Sequence, residues 1–381
     1  MTRLFSLSLA LLTLAWALTC EGATLTLNDC LARASAENRA LQATAFDDAI
    51  AGQGVTLAES AWFPRIDFQG GYTSQLAEQK ITFNSIAVPT QDANYGFFSL
   101  SLNYLLYDFG RREAKNRHAE LLQEITTDQY QGRKQELFLQ VVQGYYGILR
   151  AGKLLHAADD EVTRLKEHLR VAKSLYEQGV VTRNDLLQAE VRLAGSRQRQ
   201  LSAANELEKG WLLLNYLTGA PPTFRGDLEE GAPYAATSGT ADDDAVASRP
   251  EYRAQEKTVK AGEFQVTESG RAYYPELFFR GGIDYVENSM VKEQVIYAAS
   301  VGVRFNIFEG NATTARLRQA VARRSQDEVR LTDLGAQLRL ELSFAGRDAA
   351  VAKERITVTE QAASSTPIPP IPSRIPPRCP I

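Results

Sequence analysis

From Arg111 to Gln178 the chain contains no proline, and its apolar residues return every three or four positions. Leu155, Ala158, Val162, Leu165, Leu169, Ala172 and Tyr176 form one such stripe, the spacing of a helix that packs lengthwise on another. A continuous helix over this span is on the order of 100 Å long at 1.5 Å per residue. A rod of that length cannot fold back into a compact domain, so it has to lie beside others like it. Gly179 ends it, as a residue tolerant of positive φ does after a C-cap. Thr182 with Asp185 three residues on reads as a capping box that starts the next helix. That helix carries Leu186, Ala189, Leu193, Ser196, Gln200, Ala203, Leu207, Gly210, Leu214 and Leu217 on a matching stripe, and it stops at Gly219, Ala220, Pro221, Pro222.

Ahead of the rod, an Ala-rich helical pattern from Leu25 to about Ala61 breaks at Trp62, Phe63, Pro64, because proline removes a donor and restricts the residue before it. Two segments with a period of two follow. In the first, Ile66, Phe68, Gly70 and Tyr72 alternate with Arg65, Asp67 and Gln69. After a polar stretch to about Asn94, Phe98, Leu100, Leu102, Tyr104 and Leu106 share one face while Ser99, Ser101 and Asn103 share the other. About ten alternating residues suit a tilted barrel strand in a bilayer. An ordinary half-buried sheet has the same alternation, so the strands alone leave both readings open.

The pattern then starts again. After a Gly, Pro and acid-rich connection that includes Asp242, Asp243 and Asp244 and reads as a solvated linker, a helix from about Asp244 to Ala272 runs into Tyr273, Tyr274, Pro275. Leu277, Phe279, Gly281, Ile283 and Tyr285 mirror the first strand; Val301, Val303, Phe305 and Ile307, alternating with Gly302, Arg304 and Asn306, mirror the second. Phe308, Glu309, Gly310 then mirror Tyr107, Asp108, Phe109, Gly110 with one residue fewer. Each unit contributes one ribbon with an apolar and a polar face. Four strands cannot close a barrel and an open edge cannot face lipid, so the chain is expected to pool its strands with other copies.

The N-terminus has the layout of a secretory leader: Arg3, an apolar run from Leu4 to Thr19, then the small residues Cys20, Gly22 and Ala23. The run is short for a membrane span, and no later one matches it. Cys20, Cys30 and Cys379 have no spacing that suggests zinc or a disulfide framework. Ala17, Leu18, Thr19 only loosely resemble the segment before an acylated cysteine. A formal charge of −4 without a basic stripe argues against a nucleic-acid partner. His118, His156 and His168 all fall on the rod and read as surface or seam residues, and no nucleophile has a base nearby; the expectation is no enzyme and no cofactor. The glycine pairs Gly70–Gly71 and Gly281–Gly282 read as bends of a barrel wall.

From about Leu25 to Gln361 the chain resembles the TolC-like outer-membrane efflux protein family. The similarity is carried by Tyr176, Gly179, Asp185, Leu186 and Leu187 with their spacing, and by the duplicated ribbons entered through Pro64 and Pro275. The resemblance implies an α+β membrane protein in which four transmembrane strands per chain enter a trimeric β-barrel in outer-membrane lipid. Long coiled-coil helices would form a periplasmic α-barrel beneath it. It further implies that the tip, Tyr176, Gly179, Thr182, Asp185, Leu186 and Leu187, meets a periplasmic adaptor (a membrane fusion protein) coupled to an inner-membrane transporter. Ser99, Ser101, Asn103, Arg304 and Asn306 would line the barrel lumen. Trp62, Phe63, Tyr273 and Tyr274 fit either interfacial anchors or junction packing, with Arg111 and Arg112 just outside the hydrocarbon.

The expected organisation is a leader (1–22), a first repeat (23–219), a linker (220–246), an incomplete second repeat (247–365) and a proline-rich tail (366–381). The tail, TPIPPIPSRIPPRCPI, cannot be helical, and it suggests a reading frame shifted or cut near Ser365. The favoured function is the outer-membrane exit duct of a tripartite efflux or type I secretion system, passing small molecules or peptides. The alternatives are a periplasmic coiled-coil structural or adaptor protein and a nonfunctional truncated family member.

Overall fold

A computed structural model describes residues 24–83, 85–231 and 243–365; the leader with Cys20, linker residues 232–242, and the tail with Cys379 lie outside them. The chain opens with α1 (Leu27–Glu37) and α2 (Arg39–Glu59), followed by a single 3-10 turn and β1 (Arg65–Ser74). β2 (Gln79–Phe83), β3 (Ile86–Gln91) and β4 (Asn94–Tyr107) lead into α3 (Arg111–Glu177) and α4 (Arg183–Thr218). Then come α5 (Asp243–Ala247), α6 (Pro250–Arg271), β5 (Glu276–Val286), β6 (Val295–Arg304) and α7 (Ala312–Ser365).

α3 is one unbroken helix of 67 residues, about 100 Å from end to end. It serves as the spine: α2, α4 and α6 pack along it, and α7 packs on α6. On α4 the expected stripe is the buried or half-buried one at every position from Leu186 to Leu217. On α3 the stripe holds from Leu155 to Ala172 and then passes to Leu175, leaving Tyr176 exposed. The physical reason is the residue step: three positions beyond Ala172 faces the partner helix at the end of the rod, and four turns the side chain outward.

The N-terminal helical pattern is two helices and not one. Asn38 stands between them with extended ψ of 115°, its Oδ1 accepting from the Leu41 N–H at 2.9 Å and its Nδ2 donating to the Leu217 carbonyl at 3.0 Å. An asparagine that caps one helix while satisfying the end of another outweighs a continuing Ala-rich pattern. α1 begins with its own capping box on Thr26 and Asp29. In the second half, Pro250 begins α6 at its first turn, so the helix expected from Asp244 is interrupted before it.

The densest packing lies at mid-height of the rod, where Cys30, Ala34, Leu41, Val141, Tyr145, Ile148, Leu214 and Leu217 are buried together. Part of the expected solvated linker belongs to this core. Phe224 and Leu228 pack against it, Leu228 bridges to Leu25, and Asn215 Nδ2 donates to the carbonyls of Pro222 and Phe224 at 3.2 and 3.0 Å. The Tyr145 hydroxyl lies 2.9 Å from the Leu25 carbonyl and 2.7 Å from that of Glu229, so its one proton ties either strand of the linker bridge to the spine. Burial raises the Tyr145 pKa and pushes the Cys30 thiol up to about 11, which keeps Cys30 an inert core side chain.

Leu214 is 1% exposed at the centre of this cluster. Leu214→Ala should cost about 2–5 kcal/mol and lower the thermal midpoint followed by helical circular dichroism; an unchanged midpoint would show that this core does not hold the rod together.

Candidate functional site

β1, β4, β5 and β6 form a four-stranded antiparallel sheet in the order β1-β4-β5-β6. Its register brings Arg65, Asn103, Arg280 and Ser300 into one row, Asp67, Ser101, Gly282 and Ala298 into the next, and Gln69, Ser99, Asp284 and Ile296 into a third. All of these point to one face. The opposite face holds Ile66, Phe68 and Tyr72 on β1, Leu100, Leu102 and Tyr104 on β4, Phe279, Ile283 and Tyr285 on β5, and Tyr297, Val301 and Val303 on β6. Phe68, Phe98 and Tyr285 stack across three strands with centroids 6.5 and 5.1 Å apart. No residue of the four strands is buried, on either face. Phe68 is 72% exposed and Tyr297 76%. The ordinary half-buried sheet therefore does not describe these strands, since no layer among the described residues covers the apolar side.

The expected lumen residues divide. Ser99, Ser101 and Asn103 share the polar face, and Ser99 donates to Asp284 Oδ1 at 2.6 Å. Arg304 closes the same face at the end of β6, opposite Glu276. Asn306 is not on a strand: β6 spans Val295–Arg304, earlier than expected, and the Asn306 amide donates to Glu309 at 3.2 Å in the turn beyond it. Pairing stops there because β5 begins at Glu276, directly after Pro275, which has no N–H to extend the ladder. Leu106 also leaves the apolar stripe, at a register shift between Leu105 and Tyr107. The polar stretch after β1 is a hairpin of its own, β2 with β3. Gly71 leaves room for a ring on the same face, since a Cβ there would sit 2.9 Å from Phe97, and Gly302 does the same for Phe278 at 2.6 Å.

The sheet joins the helices through two elbows of matching backbone. Phe109 and Gly110 take left-handed φ of 56° and 88°, and Gly310 and Asn311 take 57° and 66°. Equivalence therefore runs Asp108 to Glu309 and Gly110 to Asn311, and the elbows have equal length, contrary to the one-residue deficit expected from aligning the glycines. Their side chains differ. Arg112 is buried: its N–H donates to Asp108 Oδ2 at 2.8 Å, its Nη1 and Nη2 donate to the carbonyls of Ala61 and Leu106 at 3.1 and 3.2 Å, and its guanidinium lies 4.5 Å over the Trp62 ring. This knot fastens the chain entering the sheet to the chain leaving it. At the second elbow Glu309 is held in the open by Arg316 at 2.9 Å. Tyr274 stacks on Phe109 at 5.4 Å and the Tyr273 hydroxyl reaches Thr314 at 2.8 Å, so these aromatics take part in junction packing.

At the far end of the rod the tip residues meet as expected. Gly179 has φ of 72°; its N–H donates to the Tyr176 carbonyl at 2.9 Å, and the Val180 N–H donates to that of Leu175 at 2.9 Å, a Schellman closure. Thr182 caps α4 reciprocally with Asp185, whose Oδ2 accepts from the Thr182 N–H at 2.9 Å. Hydrogen bonds from the Thr182 side chain and backbone hold the Asp185 carboxyl below its ordinary range. Leu187 and Tyr176 are exposed at the apex, while Leu186 is half-buried in the seam. No helix among the described residues is long and apolar enough to cross a membrane. His118, half-buried on α3, has its pKa lowered by burial against a smaller opposing effect of Glu268.

Residues 30–220 match the family model described as outer membrane efflux protein. The chain belongs to that family. Among curated relatives it is 25% identical over 257 residues to the alkaline protease secretion protein AprF of Pseudomonas aeruginosa, an alignment covering 64% of this chain and 53% of AprF. It is 21% identical over 280 residues to the outer membrane protein TolC of Vibrio cholerae, covering 70% of this chain and 61% of that one. The chain thus spans about half of AprF and under two thirds of that TolC. The crystal structure of the outer membrane protein VceC of Vibrio cholerae shares the fold, with a TM-score of 0.75 and 16% identity over 89% of this chain and 82% of VceC. As an outer membrane efflux protein the chain resides in the outer membrane with its helical part in the periplasm.

The Asp108–Arg112 knot was not singled out from sequence; an acid and an arginine four apart directly after a strand was the available signal. Arg112→Met should leave the buried Asp108 unpaired at a cost of about 3–5 kcal/mol, read as a lower melting point and faster proteolysis near Trp62, whereas Arg316→Met at the open elbow should leave both readings unchanged. At the tip the sign follows from the depressed carboxyl. Capping by Asp185 is fully present above the ordinary value of 3.8 and is lost as pH falls through its lower folded value. Amide exchange at the start of α4 should accelerate in that acidic window in the native protein and already at neutral pH in Asp185→Ala.

Proposed function

We propose that this chain is one stave of an outer-membrane export duct: copies pool their sheets into one transmembrane β-barrel and their rods into a periplasmic α-barrel. The observation that carries the reading is the sheet itself: among the described residues its apolar face is uncovered and its two edges β1 and β6 are unpaired, and no residue of its four strands is buried. In lipid, an apolar face is satisfied by hydrocarbon, but an unpaired edge costs several kcal/mol per orphaned group. Joining β1 of one copy to β6 of the next removes every edge. β1, β5 and β6 have 10, 11 and 10 residues, the length a tilted strand needs to cross the hydrocarbon.

The helices support the same assembly. Phe46, Ile50 and Leu57 form an exposed stripe on α2, and Phe344, Val351 and Val358 recur at seven-residue intervals on α7. From Ser343 to Ser364 every residue of α7 is exposed. Such stripes gain free energy when neighbouring copies lie against them, at about 25 cal/mol per Å² removed from water. Three copies, the number that the family resemblance implies, would give twelve strands. The exposed tip around Gly179 to Leu187 then meets a periplasmic adaptor linked to an inner-membrane transporter, which supplies the energy. Names among the relatives run from protease secretion to toluene efflux, so ducts of this family serve more than one class of cargo.

Mild crosslinking of the protein in detergent should give a trimer, and the unheated sample should migrate differently from the boiled one. A monomer recovered from the soluble periplasmic fraction would overturn the assembly and favour a coiled-coil protein that never enters lipid.

A further inference from the structure

The polar face of the sheet carries its charge unevenly. Where the strands meet the helices, four guanidinium groups gather around two carboxylates. Arg65 pairs with Asp67 at 2.9 Å, while Glu276 is shared by Arg111 at 3.1 Å and Arg304 at 3.9 Å. Arg280 pairs with no carboxylate among the described residues; the Phe278 ring holds it instead, with its guanidinium carbon 5.0 Å from the ring centroid. Arg304 lies 5.4 Å from the centroid of the same ring. A ring positions a cation through its quadrupole and brings no net charge, so Arg280 stays in place without being neutralised, while Arg304 shares the single charge of Glu276 with Arg111. Each chain therefore presents a cationic excess in this band. The other carboxylate of the face, Asp284, stands four residues along β5 from Arg280, roughly 13 Å away at 3.3 Å per residue, beyond a Debye length of about 8 Å at physiological salt. A cavity of about 640 Å³ opens at the band, lined by Phe63, Arg65, Phe278, Arg280, Arg304 and one carboxylate, Glu276, among others.

We propose that Arg65, Arg280 and Arg304, which line one cavity with Phe278 at the helix-proximal end of the sheet, make the duct select for anions, and in particular for organic anions with a flat apolar part. The inference rests on the reading that the polar face lines a pore. Guanidiniums with free donors recognise carboxylates and phosphates, and the aromatic and apolar walls of the cavity complement a ring attached to such a group. Repeated around a closed barrel, the band would form a ring of positive charge at the periplasmic neck, where a charged ring sets the sign of the permeating ion.

The test is single-channel recording of the purified full-length protein in planar bilayers under a potassium chloride gradient. The expected reversal potential lies on the chloride side, and benzoate should reduce chloride current several-fold more than benzylamine at the same concentration. The double variant Arg280→Gln, Arg304→Gln should move the chloride-to-potassium permeability ratio toward one, and Arg280→Lys, Arg304→Lys should keep it. A measurement that needs no variant is salt: going from about 0.1 M to about 1 M shortens screening from roughly 10 to 3 Å, and the preference should collapse. Native pores that are unselective or potassium-selective overturn the proposal while leaving the duct intact. A protein that forms no pores at all refutes the duct, and this selectivity with it.

Discussion

A sheet of four strands leaves two rows of backbone donors and acceptors unpaired at its edges and one apolar face uncovered, and everything else in this molecule is arranged around that deficit. Water cannot satisfy the apolar face and lipid cannot satisfy the edges. The proposed closure with other copies inside a bilayer would satisfy both. The rods repeat the pattern on a longer scale: the helix of 67 residues buries one side against α2, α4 and α6, while α2 and α7 keep exposed apolar stripes that nothing among the described residues covers.

Between these two incomplete parts sits the junction, and there the chain spends its buried polar chemistry. Asp108 and Arg112 are removed from water, yet the guanidinium meets two carbonyls and an indole ring as well as its carboxylate. A buried ion pair contributes little to stability unless its other hydrogen bonds are made; here both Nη groups donate to carbonyls, while Nε has only the carboxylate at 3.3 Å. It fixes how the α2-to-β1 and β4-to-α3 crossings meet, which sets the angle at which the sheet leaves the spine. The second elbow keeps the backbone path and leaves its Glu309–Arg316 pair in solvent. Breaking one is structural damage; breaking the other is a surface change.

Much of the helical part was legible from residue spacing alone. Ten stripe positions of α4 are inward-facing, and Thr182 with Asp185 closes the reciprocal cap that their types and separation suggested. Spacing failed where a single polar side chain made a long-range bond. Asn38 splits the first helix because its amide reaches Leu217, and nothing near Asn38 in the chain announces that partner. Glycine misled in a similar way at the elbows. The left-handed pairs are Phe109–Gly110 and Gly310–Asn311; at the first of these, ring contacts of Phe109 with Tyr107 and Tyr274 pack the strained residue.

By itself the sequence determined which residues share a helix seam and which share a strand face, because both follow from local periodicity of 3.6 and 2. It placed Ser99, Ser101, Asn103 and Arg304 on one surface, but ran the last strand through Asn306, which the missing N–H of Pro275 excludes. Tertiary structure decided which strands are neighbours, setting β4 against β5 and leaving β1 and β6 as edges. It also brought Phe278 between Arg280 and Arg304. Those outcomes depend on contacts between residues far apart in the chain, whose free energies no window of local sequence contains.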